Sequence, residues 1–133
     1  MVILGIDPGL AIVGWGAVQY AANRFAPMAY GSIQTKAGIP VEDRLSQIYD
    51  RLSEIIEKYK PDRLSIEKLY FNTNSTTAID VAQARGVILL AARKANLQIY
   101  EYTPLQVKQA VVGYGRADKT QVQQMVISGQ LLK

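Results

Sequence analysis

The sequence predicts an α/β domain built on a mixed five-stranded sheet, an antiparallel meander followed by parallel strands, with helices on both faces. Three observations lead to this fold class. Three strand-like segments with short connections open the chain, which favours an antiparallel meander. Helical segments then alternate with short apolar segments, which is typical of parallel strands joined by crossover helices. Finally, 133 residues suit one domain with one core.

The predicted meander comes first in the chain. Strand one spans residues 2–7, an apolar run that ends at Asp7 and is followed at once by the turn signal Pro8-Gly9. A continuous apolar run bounded by a turn signal is typical of a buried strand. Strands two and three are expected at about 12–20 and about 25–35.

The crossover segments follow the meander. Residues 41–60 place apolar side chains at helical spacing between Pro40 and Pro61, and this pattern predicts the first helix. The later elements are expected as strand four at 63–67, a second helix at about 76–95, strand five at 97–102, a short helix from Pro104 to about Val111 and a last helix from about Lys119.

Composition narrows the possible chemistry. The chain has no Cys and no His, which excludes disulfides, thiolate zinc sites and a Ser-His-Asp triad built from this chain alone. Catalysis would have to use carboxylates, lysines, hydroxyls and a bound metal. The formal net charge of +4 is compatible with a polyanionic partner without establishing one. No apolar run approaches the ~20 residues of a membrane span and no secretion signal is visible, so a cytoplasmic location is expected.

Two acidic residues stand where predicted strands end. Asp7 closes strand one, and Glu67 closes strand four. Neighbouring strands lie ~4.8 Å apart, so parallel pairing of these two would bring their terminal carboxylates together. Like charges that close need a cation between them, and Mg²⁺ is commonly held by one or two carboxylates plus substrate phosphates. The pattern predicts a metal site for phosphodiester or phosphoanhydride chemistry.

Each acid also has a plainer interpretation. Asp before Pro-Gly is a common turn in which the side chain bonds to its own backbone, and Glu67 could be a solvated strand end. Glu101 ends strand five, but if that strand lies beyond strand four its tip is ~10 Å from strand one, so we expect a structural role. Asp118 precedes a helix and is expected to cap it.

Aromatic and basic residues add a second kind of site. Tyr70 and Phe71 lie in an otherwise polar loop, where aromatic stacking on an unpaired base would tolerate any base. One of the two rings is expected instead to anchor the loop to the core. Lys108, Arg116 and Lys119 cluster about a glycine-containing loop that could fold around phosphate, although a solvated surface is the default for any single lysine.

Several blocks of the sequence, in order from residue 2 to about 126, together resemble the RuvC Holliday junction resolvases of bacteria. The blocks are Ile6-Asp7-Pro8-Gly9, Ile66-Glu67 followed by Tyr70-Phe71 and Asn74, Gln83-Ala84-Arg85-Gly86, Glu101-Tyr102-Thr103-Pro104 with Val107-Lys108-Gln109, and Gly113-Tyr114-Gly115-Arg116-Ala117-Asp118-Lys119. The resemblance implies a ribonuclease H-like fold and a homodimer. It also implies nicking of two opposed strands of a four-way DNA junction with Mg²⁺ or Mn²⁺, beside the branch-migration proteins RuvA and RuvB.

The resemblance also implies roles for single residues. Asp7 and Glu67 would be the first two metal-binding carboxylates, which agrees with the strand pattern. Together with the loop patterns, it leads us to expect DNA contacts from Tyr70, Phe71, Asn74, Lys108, Arg116 and Lys119. Lys108 or Lys119 would offset charge in the transition state of phosphodiester hydrolysis. The second helix, with residues 82–86 at its middle, would form the dimer contact.

One departure from the family pattern keeps alternatives open. The family carries two further metal-binding residues on a C-terminal Asp-rich helix, whereas this chain ends at Lys133 and its residues 127–133 contain no acid. We therefore expect a single nuclease domain over residues 1–133 that is C-terminally truncated. A catalytically incomplete junction-binding dimer is the main alternative, and another nuclease branch of the same fold is a weaker one. An actin-like ATPase domain is a remote third, because Asp7-Pro8-Gly9 before a hairpin also resembles that superfamily's phosphate loop.

Overall fold

Five strands and two helices form the part of the chain that the structure describes. The computed structural model describes residues 1–22, 24–68 and 75–102. The elements are β1 (Val2–Asp7), β2 (Ile12–Ala21), β3 (Arg24–Gln34), α1 (Val41–Tyr59), β4 (Arg63–Glu67), α2 (Ser75–Lys94) and β5 (Gln98–Tyr102). Their order and bounds confirm the sequence-based prediction, with differences of one residue at some ends.

The strands form one mixed sheet in the order β3-β2-β1-β4-β5. β1 is antiparallel to β2 and parallel to β4, and β4 is parallel to β5. The hairpin of β2 and β3 extends the antiparallel side. This confirms the predicted mixed five-stranded sheet, and it places the two strands that end in acids side by side at its centre.

One face of the sheet carries the main hydrophobic core. Leu4 and Ile6 of β1 and Leu64 and Ile66 of β4 alternate onto this face, which we call the helix face because both α1 and α2 pack against it. The intervening side chains, including that of Asp7, lie on the opposite face, which we call the open face only because neither α1 nor α2 packs against it. Both described helices thus lie on one face. Helices on both faces stay a prediction, because the two further predicted helices fall within residues 103–133, outside the described part of the chain.

Both helices cover the sheet through small or branched apolar side chains. α1 buries Ile48, Leu52 and Ile56 at helical spacing. Lys60 follows its last residue, has a left-handed backbone and donates its N–H to the carbonyl O of Ile56, which ends the helix. α2 buries Ala84, Ile88, Ala91 and Ala92, and the three alanines let it pack close to α1 and the sheet. Among the described residues, no helix combines the length and hydropathy that a membrane crossing needs.

Candidate active site

Asp7 and Glu67 lie at the same level on the open face. Each is the last residue of its strand, β1 or β4, and the parallel register pairs Ile6 with Ile66 immediately before them. Neighbouring strands lie ~4.8 Å apart, so the two side chains leave the sheet edge side by side. Both residues are half-buried, so part of each remains accessible to solvent. The structure thus brings together the two acids that the sequence pattern selects.

Tyr102 lies on the open face next to Glu67, in line with the two acids. It pairs with Glu67 across β4 and β5, and only 8% of it is exposed. Burial chiefly, and then the negative charges of Glu67 and Asp7, raise the pKa of the Tyr102 phenol well above its usual range. Because both carboxylates act on one phenol, they create a shared region of negative potential.

A hard divalent cation suits the donors at this edge. The two carboxylates supply only oxygen atoms, which is the donor type that Mg²⁺ and Mn²⁺ prefer. Over residues 1–22, 24–68 and 75–102, no group of three or more acids, histidines or cysteines comes together as a metal cluster. Asp7 and Glu67 could therefore hold a cation that takes its further oxygens from a phosphate and water, as Mg²⁺ commonly does.

A hydrogen-bonded chain holds the loop that follows Asp7. The hydroxyl of Thr35 donates to the carbonyl O of Leu10 at 2.7 Å, and Nε of Arg44 in α1 donates to the same hydroxyl oxygen at 2.8 Å. Thr35 is buried, and its backbone N–H donates to the carbonyl O of Ala11 at 3.0 Å. The loop behind Asp7 is therefore fixed to the residue that follows β3 and, through Arg44, to α1.

The turn after β1 also requires glycine at position 9. A Cβ at Gly9 would overlap the carbonyl O of Ile12 at the start of β2. Pro8 adds a second restriction because its ring fixes φ and removes a backbone donor. β1 therefore ends sharply after Asp7, which leaves that side chain at the rim of the sheet.

An arginine from α2 holds the end of β4. Nε of Arg85 donates to the backbone carbonyl O of Glu67 at 3.1 Å, and its Nη2 lies 2.9 Å from Oε2 of Glu101. Glu101 pairs with Ile66, so its side chain lies on the helix face and not beside Asp7. This placement fits the structural role expected for Glu101.

The match to a known family covers nearly the whole chain. Residues 3–133 match the family described as crossover junction endodeoxyribonuclease RuvC. The chain belongs to the RuvC family. Relatives named as this endonuclease include one from Alkaliphilus metalliredigens, 59% identical over 126 residues that cover 95% of this chain and 77% of the relative. One from Brevibacillus brevis is 58% identical over 125 residues, which are 94% of this chain and 75% of the relative.

A solved RuvC structure shares the fold. The RuvC of Thermus thermophilus, described in complex with Holliday junction substrate, superimposes with a TM-score of 0.82 at 32% identity, covering 97% of this chain and 80% of that one. The resemblance to RuvC and the ribonuclease H-like fold class are thereby confirmed, as is the nuclease class, whose members depend on a metal ion. The family assignment also argues against the actin-like ATPase alternative.

The predicted DNA contacts of this RuvC-family chain fall outside the described residues. These are Tyr70, Phe71, Asn74, Lys108, Arg116 and Lys119, together with the predicted cap Asp118. Their roles stay predictions. The structure therefore describes Asp7, Glu67 and the framework behind them.

The sequence pattern does not single out two residues that contact or flank the acids. The sequence places Arg85 only in a block of the RuvC resemblance that is expected at the dimer contact, and Tyr102 only in another block of that resemblance. A signal for Arg85 is present, because it is the one charged residue between Asp80 and Arg93 of the predicted helix. A lone charge in such an apolar segment needs a partner, but sequence alone does not show which one.

Proposed function

We propose that this chain nicks four-way DNA junctions by metal-dependent hydrolysis of a phosphodiester bond, with Asp7 and Glu67 holding the metal. The observation that carries the proposal is the parallel register of β1 and β4, which sets these two acids side by side on the open face. Oxygen-only donors favour Mg²⁺ or Mn²⁺ as the cofactor. We extend the nuclease domain over residues 1–133, since the family match spans 3–133.

Each of the acidic, phenolic and basic side chains would have a different role in the hydrolysis of the phosphodiester bond. A bound divalent metal would polarise the phosphate and lower the pKa of an attacking water. Asp7 and Glu67 would hold that metal from two paired strand ends, so little reorganisation is needed when substrate binds. The raised pKa of Tyr102 keeps its phenol neutral, and a neutral O–H beside two carboxylates is a hydrogen-bond donor. Lys108 or Lys119 would offset the charge that develops in the transition state.

Junction DNA is the proposed substrate. Support comes from the Thermus thermophilus relative, which is described with Holliday junction substrate and shares the fold at 32% identity. Tyr70 or Phe71 would stack on an unpaired base at the junction, with Asn74 beside them, and Arg116 would contact the backbone. RuvA and RuvB are the partners that we propose from the family resemblance.

A homodimer through α2 is the proposed assembly. Ile79, Gln83, Gly86 and Leu90 recur at spacings of four, three and four residues, so they form one stripe, the α2 stripe, on the helix surface. All four are exposed, with 55% of Ile79 and 51% of Leu90 open to solvent. A Cβ at Gly86 would meet nothing within 4 Å, so a second helix has room to approach closely there. Two α2 stripes facing each other would bury these apolar side chains.

A junction-binding protein without cleavage is the second candidate. It is favoured by the count of acids, because the described residues bring only Asp7 and Glu67 together and two-metal hydrolysis usually needs more ligands. The two candidates separate in one experiment. An end-labelled four-way junction is incubated with the 133-residue chain, with Mg²⁺ and separately with EDTA, and both binding and nicks are measured. A linear duplex serves as the control.

Paired nicks that appear only in the junction and only with Mg²⁺ would establish the proposed nuclease. Binding in EDTA with no nicks in any metal would favour the second candidate. Equal binding to junction and linear duplex would contradict both.

A further inference from the structure

We infer that Arg85 and Glu101 form a positioning pair that sets the direction of Glu67 and thereby strengthens metal binding at the Asp7 and Glu67 site. The inference rests on the proposed function, because it takes Glu67 as a metal ligand. Arg85 and Glu101 act from the helix face, so neither side chain would touch the metal or the DNA. Both are positioning residues in this sense.

The pair is anchored by two contacts of one guanidinium group. Nε of Arg85 donates to the backbone carbonyl O of Glu67 at 3.1 Å. Nη2 forms an ion pair with Oε2 of Glu101 at 2.9 Å, although this buried nitrogen makes no well-aligned hydrogen bond within the described residues. Only 14% of the Arg85 side chain is exposed, against 40% for Glu101. The guanidinium is therefore held in the protein, with the carboxylate of Glu101 as its counter-charge.

These contacts fix one peptide group from both of its sides. The peptide that joins Glu67 to Lys68 has its carbonyl O bonded to Arg85, while its N–H donates to the carbonyl O of Tyr102 at 2.7 Å. Because the peptide group is planar, two hydrogen bonds in different directions set its plane. The pairing of β4 with β5 also holds the peptide group that precedes Glu67. The Cα of Glu67 therefore lies between two fixed peptide groups, and these set the direction in which Cβ leaves the backbone. Loss of the arginine contact would leave the peptide group after Glu67 held only through the Lys68 N–H, so its plane could tilt and carry Cα and Cβ of Glu67 with it.

The position of this peptide group affects the Glu67 carboxylate on the opposite face of the sheet. The carboxylate of Glu67 lies beside Asp7 on the open face, and its approach to a shared cation depends on the backbone that carries it. Groups that orient a metal ligand without touching the metal typically change metal affinity by 10–100-fold. A purely structural arginine would instead stabilise the packing of α2 on β5 and leave the affinity of folded molecules unchanged.

The test measures Mn²⁺ binding to the 133-residue chain through the electron paramagnetic resonance signal of free Mn²⁺. The variants are Arg85→Met, Arg85→Lys and Glu101→Gln, with Asp7→Asn as the reference for loss of a ligand. Arg93→Met, an exposed arginine in the last turn of the same helix, is the matched control. Thermal unfolding of each variant reports the folded fraction.

We expect Arg85→Met to weaken Mn²⁺ binding about tenfold and Glu101→Gln to weaken it less. Arg85→Lys retains one of the two contacts and should lie between wild type and Arg85→Met. Because Glu101 acts through Arg85, adding Glu101→Gln to Arg85→Met should cause no further loss. Arg93→Met should bind as the wild type does.

Mn²⁺ binding by Asp7→Asn and Arg85→Met together distinguishes a failure of the positioning role from a failure of the proposed metal site. If Asp7→Asn weakens Mn²⁺ binding and Arg85→Met does not, the positioning inference is overturned and the metal site stands. A lower binding stoichiometry at unchanged affinity would show that Arg85 only stabilises the fold, which also overturns the inference. Unchanged binding in Asp7→Asn would remove the metal site itself and the inference with it.

Discussion

Tyr102 lies directly opposite Glu67 in the parallel ladder of β4 and β5, with its phenol buried on the face that also carries Asp7. Burial and the two carboxylate charges favour the protonated phenol, which is why its pKa is raised. The backbone carbonyl O of the same residue accepts a hydrogen bond from the N–H of Lys68. Tyr102 thus supports the end of β4 with its backbone and the acidic pair with its side chain.

This raised pKa predicts how stability depends on alkaline pH. The folded state holds the Tyr102 proton more tightly than the unfolded state, whose tyrosine pKa is 10.0. The resulting stability is complete below about pH 10 and is lost as pH rises from there toward the folded-state pKa. Urea unfolding from pH 8 to 11 should therefore show a steeper loss for the wild type than for Tyr102→Phe. Parallel curves would contradict a titration coupled to folding at this position.

Asp7→Asn should abolish nicking of a four-way junction while junction binding persists. The amide keeps the shape of the side chain but removes the negative charge that would hold a metal. Electrophoretic binding in EDTA and nicking in Mg²⁺ are measured on one preparation. Asp50→Asn, an exposed acid on α1, is the control for loss of a single charge. Retained nicking in Asp7→Asn would overturn the assignment of Asp7.

Thr35→Val should destabilise the fold by about 1–3 kcal/mol, because it leaves the carbonyl O of Leu10 and Nε of Arg44 without their partner. Thr35→Ser retains the hydroxyl and loses only a methyl group, so its cost should be smaller, about 1 kcal/mol. Urea unfolding at neutral pH compares the two variants. Equal losses would mean that the methyl group, and not the hydrogen-bonded chain, holds the loop behind Asp7.

Much of this architecture follows from local sequence signals. Apolar runs that end at Asp7 and Glu67 identify β1 and β4, and Pro40 and Pro61 bracket α1, so topology rules alone place the two acids at one sheet edge. Those signals depend only on short stretches of chain. They suffice for element order, sheet pairing and the acidic pair.

The contacts that hold the two acids in place could not be predicted from local sequence signals. The Arg85 contacts join α2 to β4 and β5, and the Thr35 hydroxyl reaches back to Leu10 across 25 positions. Such contacts depend on the rotation of each helix against the sheet and on side-chain rotamers, which residue spacing does not determine. Tyr102 gives no local sign either, because its burial and its raised pKa arise only once β5 lies beside β4.

The α2 stripe predicts how dimerisation responds to substitution. Leu90→Glu should convert a dimer to monomers, because it places a charge in the apolar contact while its 51% exposure in the single chain leaves room for the longer side chain. Sedimentation equilibrium measures the state, and circular dichroism verifies the fold. Met28→Glu, at an exposed apolar position on β3, should leave the dimer intact. A wild type that is monomeric at high micromolar concentration would contradict the proposed assembly.

Lys119→Ala tests the proposed contact with the DNA backbone. Each phosphate contact releases counterions, so the logarithm of the binding constant should fall less steeply with the logarithm of salt concentration, by about 0.9 for one lost contact. Binding to a four-way junction in EDTA is measured from low to moderate salt. Lys58→Ala, on the exposed surface of α1, removes the same charge away from the acidic edge and should keep the wild-type slope. If Lys119→Ala keeps that slope too, Lys119 does not contact phosphate, and Lys108 becomes the next lysine to test.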